Sequence, residues 1–304
     1  MQEYHGHPLF SVIVVTFNSE KYVLETLESI FNQTYEYIEL IITDDGSTDQ
    51  TVTVCSEWLN THKERFVNTL LITTEKNTGI PANCNRGVQK SKGTWIKLIA
   101  GDDLLLNDCI EKGVAFINTS RDIHIFASNV VFFVNDFGNE NRESSYQSAK
   151  FFLPETNAET QFKILLHNNP ITAPSVFISR EVYDLNEGFN ETIPMMEDYP
   201  FWIKTVRNGI KIYFLNATTI GYRLHQQSVS GFNNDKLFNA FYVKHYIFQK
   251  EYTFMFMSFF EKMHHRYVYR SKKVFDALHM NALRFKFLFS VTMKLNAFRF
   301  FIRK

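Results

Sequence analysis

The chain has 304 residues, of which 45% are hydrophobic and 21% charged. This composition excludes a disordered tail or a coiled coil, and the length suffices for one large domain or two modest ones. The formal net charge is zero at pH 7, which argues against a general nucleic-acid binder.

The cysteine content and the hydropathy indicate the compartment. The three cysteines, Cys55, Cys84 and Cys109, are too few and too widely spaced for a disulfide scaffold or a zinc cluster. The first residues lack the basic start and apolar stretch of a signal peptide, and no apolar run has the length of a membrane span. We therefore expect a cytoplasmic protein, with peripheral contact to the inner face of the cell membrane left open.

Charge is distributed unevenly along the chain. Residues 232–304 contain 14 Lys or Arg and 4 Asp or Glu, a formal charge of +10, so the first 231 residues carry −10. Such an asymmetry of charge indicates that the two parts of the chain have different functions. We predict one domain over residues 1–231 and a basic, aromatic, helical extension over residues 232–304.

The first hundred residues alternate between strand and helix patterns. The apolar, β-branched run from Leu9 to Val15 predicts a strand buried on both faces. Ser47, with Gln50 three residues later, indicates a helix start. Further strands are predicted over residues 38–43, 70–73 and 94–100, and helices over residues 20–33 and 80–91. This alternation predicts an α/β fold, a Rossmann-like, mainly parallel sheet flanked by helices.

The second half of the chain is less regular. A turn is expected at residues 135–138 and a loop over residues 143–154, and from Asp235 onward the pattern is helical. The other predicted elements are strands over residues 123–134, 174–179, 211–214 and 219–224 and helices over residues 160–167 and 197–208.

Two acidic pairs follow predicted strands. Asp44 and Asp45 come after the second strand, and Asp102 and Asp103 come after the fourth. Parallel sheets bind ligands beyond the carboxyl ends of their strands, where these carboxylates can accept hydrogen bonds from a nucleoside. Adjacent acids repel each other, and a Mg²⁺ or Mn²⁺ ion carrying a diphosphate compensates that repulsion. Turn or helix-cap roles account for the same residues, so both interpretations stand.

A third acidic pair lies among apolar residues. Glu197 and Asp198 follow a Pro-Met-Met stretch and precede an aromatic one. A carboxyl group in apolar surroundings has a raised pKa and can act as a general base. The alternative is a helix start at which acids are favoured by the helix dipole.

Polar and basic residues elsewhere can hold phosphate or metal. Backbone amides around Asn77 and Gly79, together with Arg86, precede or open a helix and suit a phosphate group. Arg223 can contact a diphosphate, and His225 can bind a metal. Turn, helix-surface and structural roles are the alternatives for all five.

Several well-known motifs are missing. The sequence contains no GxxxxGK[ST] loop, no GxGxxG after the first strand, no HExxH and no GxSxG. The main sequence evidence for assigning the chain to four enzyme classes is therefore missing: P-loop ATPases, Rossmann dehydrogenases, zinc proteases and ordinary α/β-hydrolases.

Taken in order, these motifs resemble family 2 glycosyltransferases of the GT-A fold, of the type that builds bacterial surface polysaccharides. The resemblance spans roughly residues 8–231. It implies a nucleotide-sugar half over about residues 8–118 and an acceptor half over about residues 119–231. The matching stretches are residues 11–18, 44–49, 77–79, 85–87, 101–103, 197–198 and 222–225, with Ser228 and Ser230.

The resemblance implies roles for individual residues. Asp198 is implied as the catalytic base and Glu197 as its neighbour in the acceptor site. Asp103 is implied as the metal ligand, with His225 as a looser candidate. The implied nucleotide-binding residues are Thr16, Phe17, Asn18 and Glu20 around the base, Asp45 on the base edge with Asp44 behind it, Asn77, Gly79 and Arg86, Asp102 on the ribose, and Arg223.

The sequence departs from the family pattern in two places. Gly101-Asp102-Asp103 replaces Asp-x-Asp, so we expect one direct carboxylate ligand rather than two. Cys84 stands where the family usually has arginine, which leaves the neutralisation of the phosphates partly unassigned.

The implied activity is transfer of a hexosyl or N-acetylhexosaminyl group from a UDP-linked donor to a hydroxyl of a glycan or lipid-linked acceptor, with Mn²⁺ or Mg²⁺ as cofactor. Inversion is expected, because a retaining enzyme needs a nucleophilic carboxylate for which the sequence shows no candidate. A catalytically inactive nucleotide-binding scaffold and a sugar-phosphate nucleotidyltransferase are the alternatives. The basic, aromatic extension suits a membrane interface, a helical cap or a homodimer surface.

Overall fold

The computed structural model describes residues 3–4, 6–134, 137, 142–144, 150–193, 196–225, 236–238 and 242–296. Most of the predicted turn at residues 135–138, Ser228, Ser230 and the predicted boundary after residue 231 lie outside these ranges. The chain forms two compact units, Met1–Arg223 and Leu224–Lys304.

The first unit is built on a mixed sheet. Nine of the described strands form this sheet in the order β5-β4-β3-β6-β10-β8-β11-β7, with β9 paired to β8, and β1 and β2 form a separate hairpin. The strands are β1 (Glu3–Tyr4), β2 (His7–Pro8), β3 (Phe10–Thr16), β4 (Ile38–Asp44), β5 (Asn68–Thr73), β6 (Trp95–Ala100), β7 (Leu104–Leu105), β8 (Ile125–Val134), β9 (Arg142–Ser144), β10 (Phe177–Ser179) and β11 (Tyr213–Leu224). Because β5, β4, β3 and β6 run parallel, the predicted α/β architecture is confirmed.

Among its described residues, the first unit contains seven α-helices. Three short 3₁₀ turns lie at Lys63–Arg65, Lys150–Phe152 and Ala173–Ser175. The helices are α1 (Val23–Phe31), α2 (Thr51–His62), α3 (Ile80–Lys90), α4 (Cys109–Ile117), α5 (Ala158–Leu165), α6 (Arg180–Leu185) and α7 (Asp198–Arg207). The helices predicted around residues 20–33, 80–91, 160–167 and 197–208 are present, with bounds that differ by up to three residues.

The apolar β3 run is buried because helices cover both of its faces. Phe10, Val12 and Val14 belong to a core cluster that includes Val23 and Leu27 of α1. On the other face, α3 approaches the sheet closely at a glycine. The continuous apolar pattern is therefore the mark of a central strand.

Two predicted strands in the second half proved to be one. Residues 211–214 and 219–224 were expected to be separate, but β11 runs without a break over Tyr213–Leu224. Asn216, between the two predicted strands, accepts a hydrogen bond from Asn129 of β8 (3.2 Å), and Thr219 bonds Ser128 of β8 (2.6 Å).

Two local predictions were wrong, one because of a proline and one because of a side-chain hydrogen bond. The strand expected over residues 174–179 begins only at Phe177, because the segment containing Pro174 forms a 3₁₀ turn. Helix α2 begins at Thr51 rather than just after Ser47, because the Ser47 side chain is engaged by Asp44.

The second unit contains the helices expected after residue 235. Its described elements are α8 (Tyr242–Phe248), a π-helical turn (Gln249–Thr253), 3₁₀ turns (Phe254–Phe256 and Leu283–Phe285), α9 (Phe259–Ala277) and α10 (Lys286–Lys294). A capping box between Ser258 and Glu261 begins α9. Tyr246 of α8 stacks on Tyr269 of α9 with ring centroids 3.9 Å apart. Among the described residues, no helix combines the length and the apolar content that a membrane span requires.

The contact between α3 and β3 gives a stability prediction. A Cβ on Gly87 would lie 2.5 Å from Cγ2 of Ile13 and 3.0 Å from Cγ2 of Thr43. We expect Gly87→Ala to lower the free energy of unfolding by about 1–3 kcal/mol in urea denaturation, because overpacking forces the helix away from the sheet. Gln89→Ala, at an exposed position of the same helix, should change it by less than about 0.5 kcal/mol. Equal stability of the two variants would contradict this packing argument.

Candidate active site

Three parallel strands end side by side at one edge of the sheet. The register pairs Thr16 of β3 with Asp44 of β4, and Val15 of β3 with Ala100 of β6. A Cβ on Gly101 would lie 2.9 Å from Cγ2 of Thr16, so the chain after β6 passes directly against the end of β3. The first two predicted acidic pairs are therefore neighbours around Thr16.

Asp44 organises the loop that follows β4. Its buried carboxylate accepts hydrogen bonds from Thr16 Oγ1 (2.8 Å), from the Ser47 amide (2.8 Å) and from Ser47 Oγ (2.5 Å). Ser47 Oγ in turn accepts a hydrogen bond from the Asn18 amide (2.8 Å). The role of Asp44 behind Asp45 at the edge of a bound base stays a prediction.

Asp45 ties a second loop and Arg86 to the same edge. Its buried carboxylate accepts four hydrogen bonds, from the Thr78 amide (2.8 Å), Thr78 Oγ1 (2.6 Å), the Gly79 amide (2.8 Å) and Arg86 Nη2 (3.1 Å). A carboxylate offers about four acceptor positions, so donors of the same chain engage them all. Contact of Asp45 with a base stays a prediction, and Arg86, predicted to hold phosphate, is ion-paired with Asp45.

Glycine conformation allows these two loops to meet. Gly46 and Gly79 have φ of +78° and +94°, where side chains are strained. A Cβ on Gly46 would lie 3.1 Å from the carbonyl carbon of Lys76. Asn77, predicted to bind nucleotide, is exposed and accepts a hydrogen bond from the Gly79 amide (3.1 Å).

The segment after β3 forms the exposed border of this edge. The Phe17 ring is 47% exposed. Asn18 adopts φ +51°, and its Oδ1 accepts a hydrogen bond from the Thr48 amide (2.9 Å). Glu20 Oε2 accepts one from the Gln50 amide (2.8 Å). Phe17, Asn18 and Glu20 thus lie on the loop that faces residues 47–50.

Asp103 is a buried carboxylate directly after the edge. Its Oδ1 accepts a hydrogen bond from the Arg223 amide (2.9 Å), and its carbonyl accepts one from Thr26 Oγ1 (2.8 Å). Burial, followed by the neighbouring charge of Asp102, raises the pKa of Asp103 well above the usual value of an aspartate. A positively charged group next to Asp103 would offset the effects of burial and of the Asp102 charge on this pKa.

The side chain of Arg223 does not have the exposed position expected of a diphosphate ligand. It is 1% exposed. Its Nε donates to the Asp102 carbonyl (2.8 Å), and its Nη2 lies 2.6 Å from Glu25 Oε2. Sequence reasoning missed Glu25, because nothing in the pattern of α1 distinguishes this acid from others on a helix surface.

Glu197 is the N-cap residue of α7, and Asp198 is the first residue of that helix. Asp198 Oδ2 accepts a hydrogen bond from Asn169 Nδ2 (2.8 Å), and Asn169 is a second residue that the sequence did not single out. Burial raises the pKa of Asp198, and burial together with the charge of Asp198 raises the pKa of Glu197 to about 8. Such a carboxyl pair can accept a proton near neutral pH.

Helix α3 connects this pair to the strand edge. Burial raises the pKa of the Cys84 thiol, and the charges of Glu197, Asp198 and Asp45 raise it further. Asn85, the next residue, donates to the Phe189 carbonyl (2.8 Å), which joins α3 to the segment that leads toward α7.

The metal prediction has less direct geometric support. Within the described ranges, no group of three or more His, Cys, Asp or Glu side chains could hold a metal ion. His225 belongs to the unit Leu224–Lys304, whereas Asp103 belongs to Met1–Arg223. The pairing of these two residues on one ion stays a prediction.

Comparisons with known proteins relate the sequence to glycosyltransferases. The profile of glycosyl transferase family 2 matches residues 11–184. An uncharacterized glycosyltransferase of Haemophilus influenzae is 30% identical over 235 residues, 75% of this chain and 70% of that protein. The minor teichoic acid biosynthesis protein GgaB of Bacillus subtilis is 26% identical over 230 residues, which span 75% of this chain but only 24% of GgaB.

Solved structures show the same fold. The crystal structure of Staphylococcus aureus TarS residues 1–349 in complex with UDP-GlcNAc aligns with a TM-score of 0.57 and 20% identity. The alignment covers 86% of this chain and 72% of the TarS chain. It supports the GT-A architecture predicted from the sequence.

The raised pKa of Glu197 predicts a pH dependence of stability. The folded chain binds the Glu197 proton more tightly than the unfolded chain, so ionisation between about pH 4.5 and 8 lowers the free energy of unfolding. As the pH rises through that window, we expect the free energy of unfolding of Glu197→Gln to increase by about 1–2 kcal/mol relative to that of the wild type. Urea denaturation measures this difference. Glu159→Gln, at a fully exposed position, should show no such gain, and an unchanged difference for Glu197→Gln across the window would contradict the expectation.

Proposed function

Since the chain belongs to glycosyl transferase family 2, we propose that it transfers a hexosyl or N-acetylhexosaminyl group from a UDP-linked donor to a hydroxyl of a surface glycan or its lipid-linked precursor, with inversion. The chain is a glycosyltransferase by family. The observation that carries the finer proposal is the meeting of the first two acidic pairs around Thr16, where β3, β4 and β6 end side by side.

We propose that the nucleotide lies along the edge formed by β3, β4 and β6. The exposed Phe17 ring offers a face on which a base can stack, with Asn18 and Glu20 beside it. Asp102 would accept hydrogen bonds from the ribose. Thr16, Asp44, Asp45, Asn77, Gly79 and Arg86 would shape the surrounding loops. UDP as the nucleotide is supported by the UDP-GlcNAc complex of TarS.

We propose Asp103 as the ligand of a Mn²⁺ or Mg²⁺ ion. The residues fit this role, because a buried carboxylate next to a second acid requires positive compensation and its oxygen donors suit hard cations. When bound, the ion would stabilise the negative charge of the leaving diphosphate. Asp103 would be held in place by the Arg223 amide.

We propose that Asp198 accepts the proton of the acceptor hydroxyl. The Asn169 side-chain amide donates a hydrogen bond to one Asp198 carboxylate oxygen (2.8 Å), which fixes the orientation of the carboxylate. Glu197 would border the acceptor and, by its like charge, keep the proton affinity of the pair high. The proton removed from the hydroxyl would reside on the Asp198 carboxyl until it passes to solvent.

A surface glycan as acceptor is supported by the similarity to a teichoic acid biosynthesis protein. The second unit supports contact with lipid, because it exposes large apolar side chains among many Lys and Arg residues. Met255, Phe259 and Phe287 are 71%, 66% and 81% exposed. Apolar side chains flanked by cations suit the interface of an anionic membrane.

Replacement of the base tests the mechanism. We expect Asp198→Asn to lower kcat by about 10²–10⁴-fold, because an amide cannot take the proton, while the affinity for UDP in calorimetry is retained. Normal turnover by Asp198→Asn would remove Asp198 from the role of base. Release of pyrophosphate instead of UDP by the wild type would favour a nucleotidyltransferase, and UDP binding without turnover would favour an inactive scaffold.

Vesicle co-sedimentation tests the membrane contact with the full chain. We expect the wild type to sediment with vesicles that contain anionic phospholipid, and less with neutral vesicles or at high salt. Replacement of Met255, Phe259 and Phe287 by Ser should lower the bound fraction several-fold, whereas Lys163→Ser, an exposed change in the first unit, should not. Equal sedimentation of all three proteins would refute lipid contact and leave a cap or a homodimer surface.

A further inference from the structure

A buried arginine links three elements beside the proposed metal ligand. Arg223 near the end of β11 contacts Glu25 of α1, 198 residues away in sequence, at 2.6 Å. Its Nε donates to the carbonyl of Asp102, and its own amide donates to the carboxylate of Asp103. One residue therefore engages both members of the acidic pair, by side chain and by backbone.

Two aromatic rings restrict the guanidinium to this position. Its central carbon lies 4.4 Å from the ring centroid of Tyr22 and 4.6 Å from that of Phe133. Cation–π contacts of this kind stabilise a desolvated arginine. Because the side chain is 1% exposed, it cannot reach out to a ligand without leaving both rings.

The first turn of α1 is joined to the same loop twice. Glu25 engages Arg223, and the next residue, Thr26, donates its hydroxyl to the Asp103 carbonyl at 2.8 Å. The position of the Asp102–Asp103 backbone therefore depends on α1 as well as on β11. Glu25 itself is about half-exposed (49%), so its charge can be altered without opening the core.

We infer that Arg223 and Glu25 are a positioning pair: Arg223 holds the Asp102–Asp103 loop, and Glu25 offsets the charge of Arg223 so that the two aspartates keep their affinity for a divalent cation. This inference rests on the proposed function. The direction of the effect of Glu25 on cation affinity follows from the charges of the two residues. Arg223 alone would compensate the aspartates and so compete with the cation, whereas Arg223 paired with Glu25 contributes little net charge.

Calorimetric titration of UDP into the full chain, over a series of Mn²⁺ concentrations and in EDTA, tests the pair. We expect Glu25→Gln to raise the Mn²⁺ concentration that gives half of the maximal gain in UDP affinity by about three- to tenfold. The UDP affinity in EDTA should not change. Arg223→Lys keeps the charge but loses the Nε contact to Asp102, and it should likewise raise the Mn²⁺ requirement without changing UDP affinity in EDTA. Glu159→Gln, which breaks an exposed ion pair with Lys163, is the matched control.

The outcomes separate this inference from the proposed function. An unchanged Mn²⁺ requirement in Glu25→Gln overturns the inference alone. Loss of UDP affinity by Arg223→Lys in EDTA as large as the loss in Mn²⁺ also overturns it, since Arg223 would then contact the diphosphate itself. A wild-type chain that binds no UDP under either condition overturns the proposed function and the inference together.

Discussion

The parallel pairing of β3 with β4 on one side and with β6 on the other is the constraint on which the site depends. The hydrogen-bond register ends these strands next to one another, so the residues that follow each strand emerge at one edge. A shift of register would carry Asp44 and Asp45 away from Thr16 and from Gly101. The apolar side chains of β3, buried on both faces, hold the register, because a slip by one residue exchanges the two faces.

Burial of carboxylates sets the second constraint. A charged group taken out of water is costly unless hydrogen bonds or opposite charges compensate it. Asp44 and Asp45 are compensated inside the chain, by hydroxyls, amides and Arg86. Asp103 and the Glu197–Asp198 pair are compensated less fully, and their pKa values are raised. The groups that the fold leaves under-compensated are those proposed to meet a cation and a substrate proton.

This contrast changes the interpretation of the acidic motif after β4. In the sequence, Asp45 lies at the end of a strand, and the family resemblance implied that it binds the edge of the base. In the structure, its carboxylate holds the Thr78–Gly79 loop and Arg86. A residue can thus belong to a functional motif because it shapes the loop that meets the ligand. Arg223 illustrates the same point, since its guanidinium lies between rings rather than at the surface.

Local sequence patterns were sufficient to predict the α/β class, the four parallel strands, helices α1 and α3, and the location of two acidic pairs at strand ends. These follow from hydrophobic periodicity and turn chemistry, which act over a few residues. The sequence by itself could not show that β11 is one strand, that Asn169 contacts Asp198, or that Glu25 pairs with Arg223. Those features join residues from 29 to 198 positions apart or depend on polar partners in β8. These features depend on tertiary packing, because a contact between distant residues exists only once the packing of the sheet and its helices brings their side chains within hydrogen-bond distance.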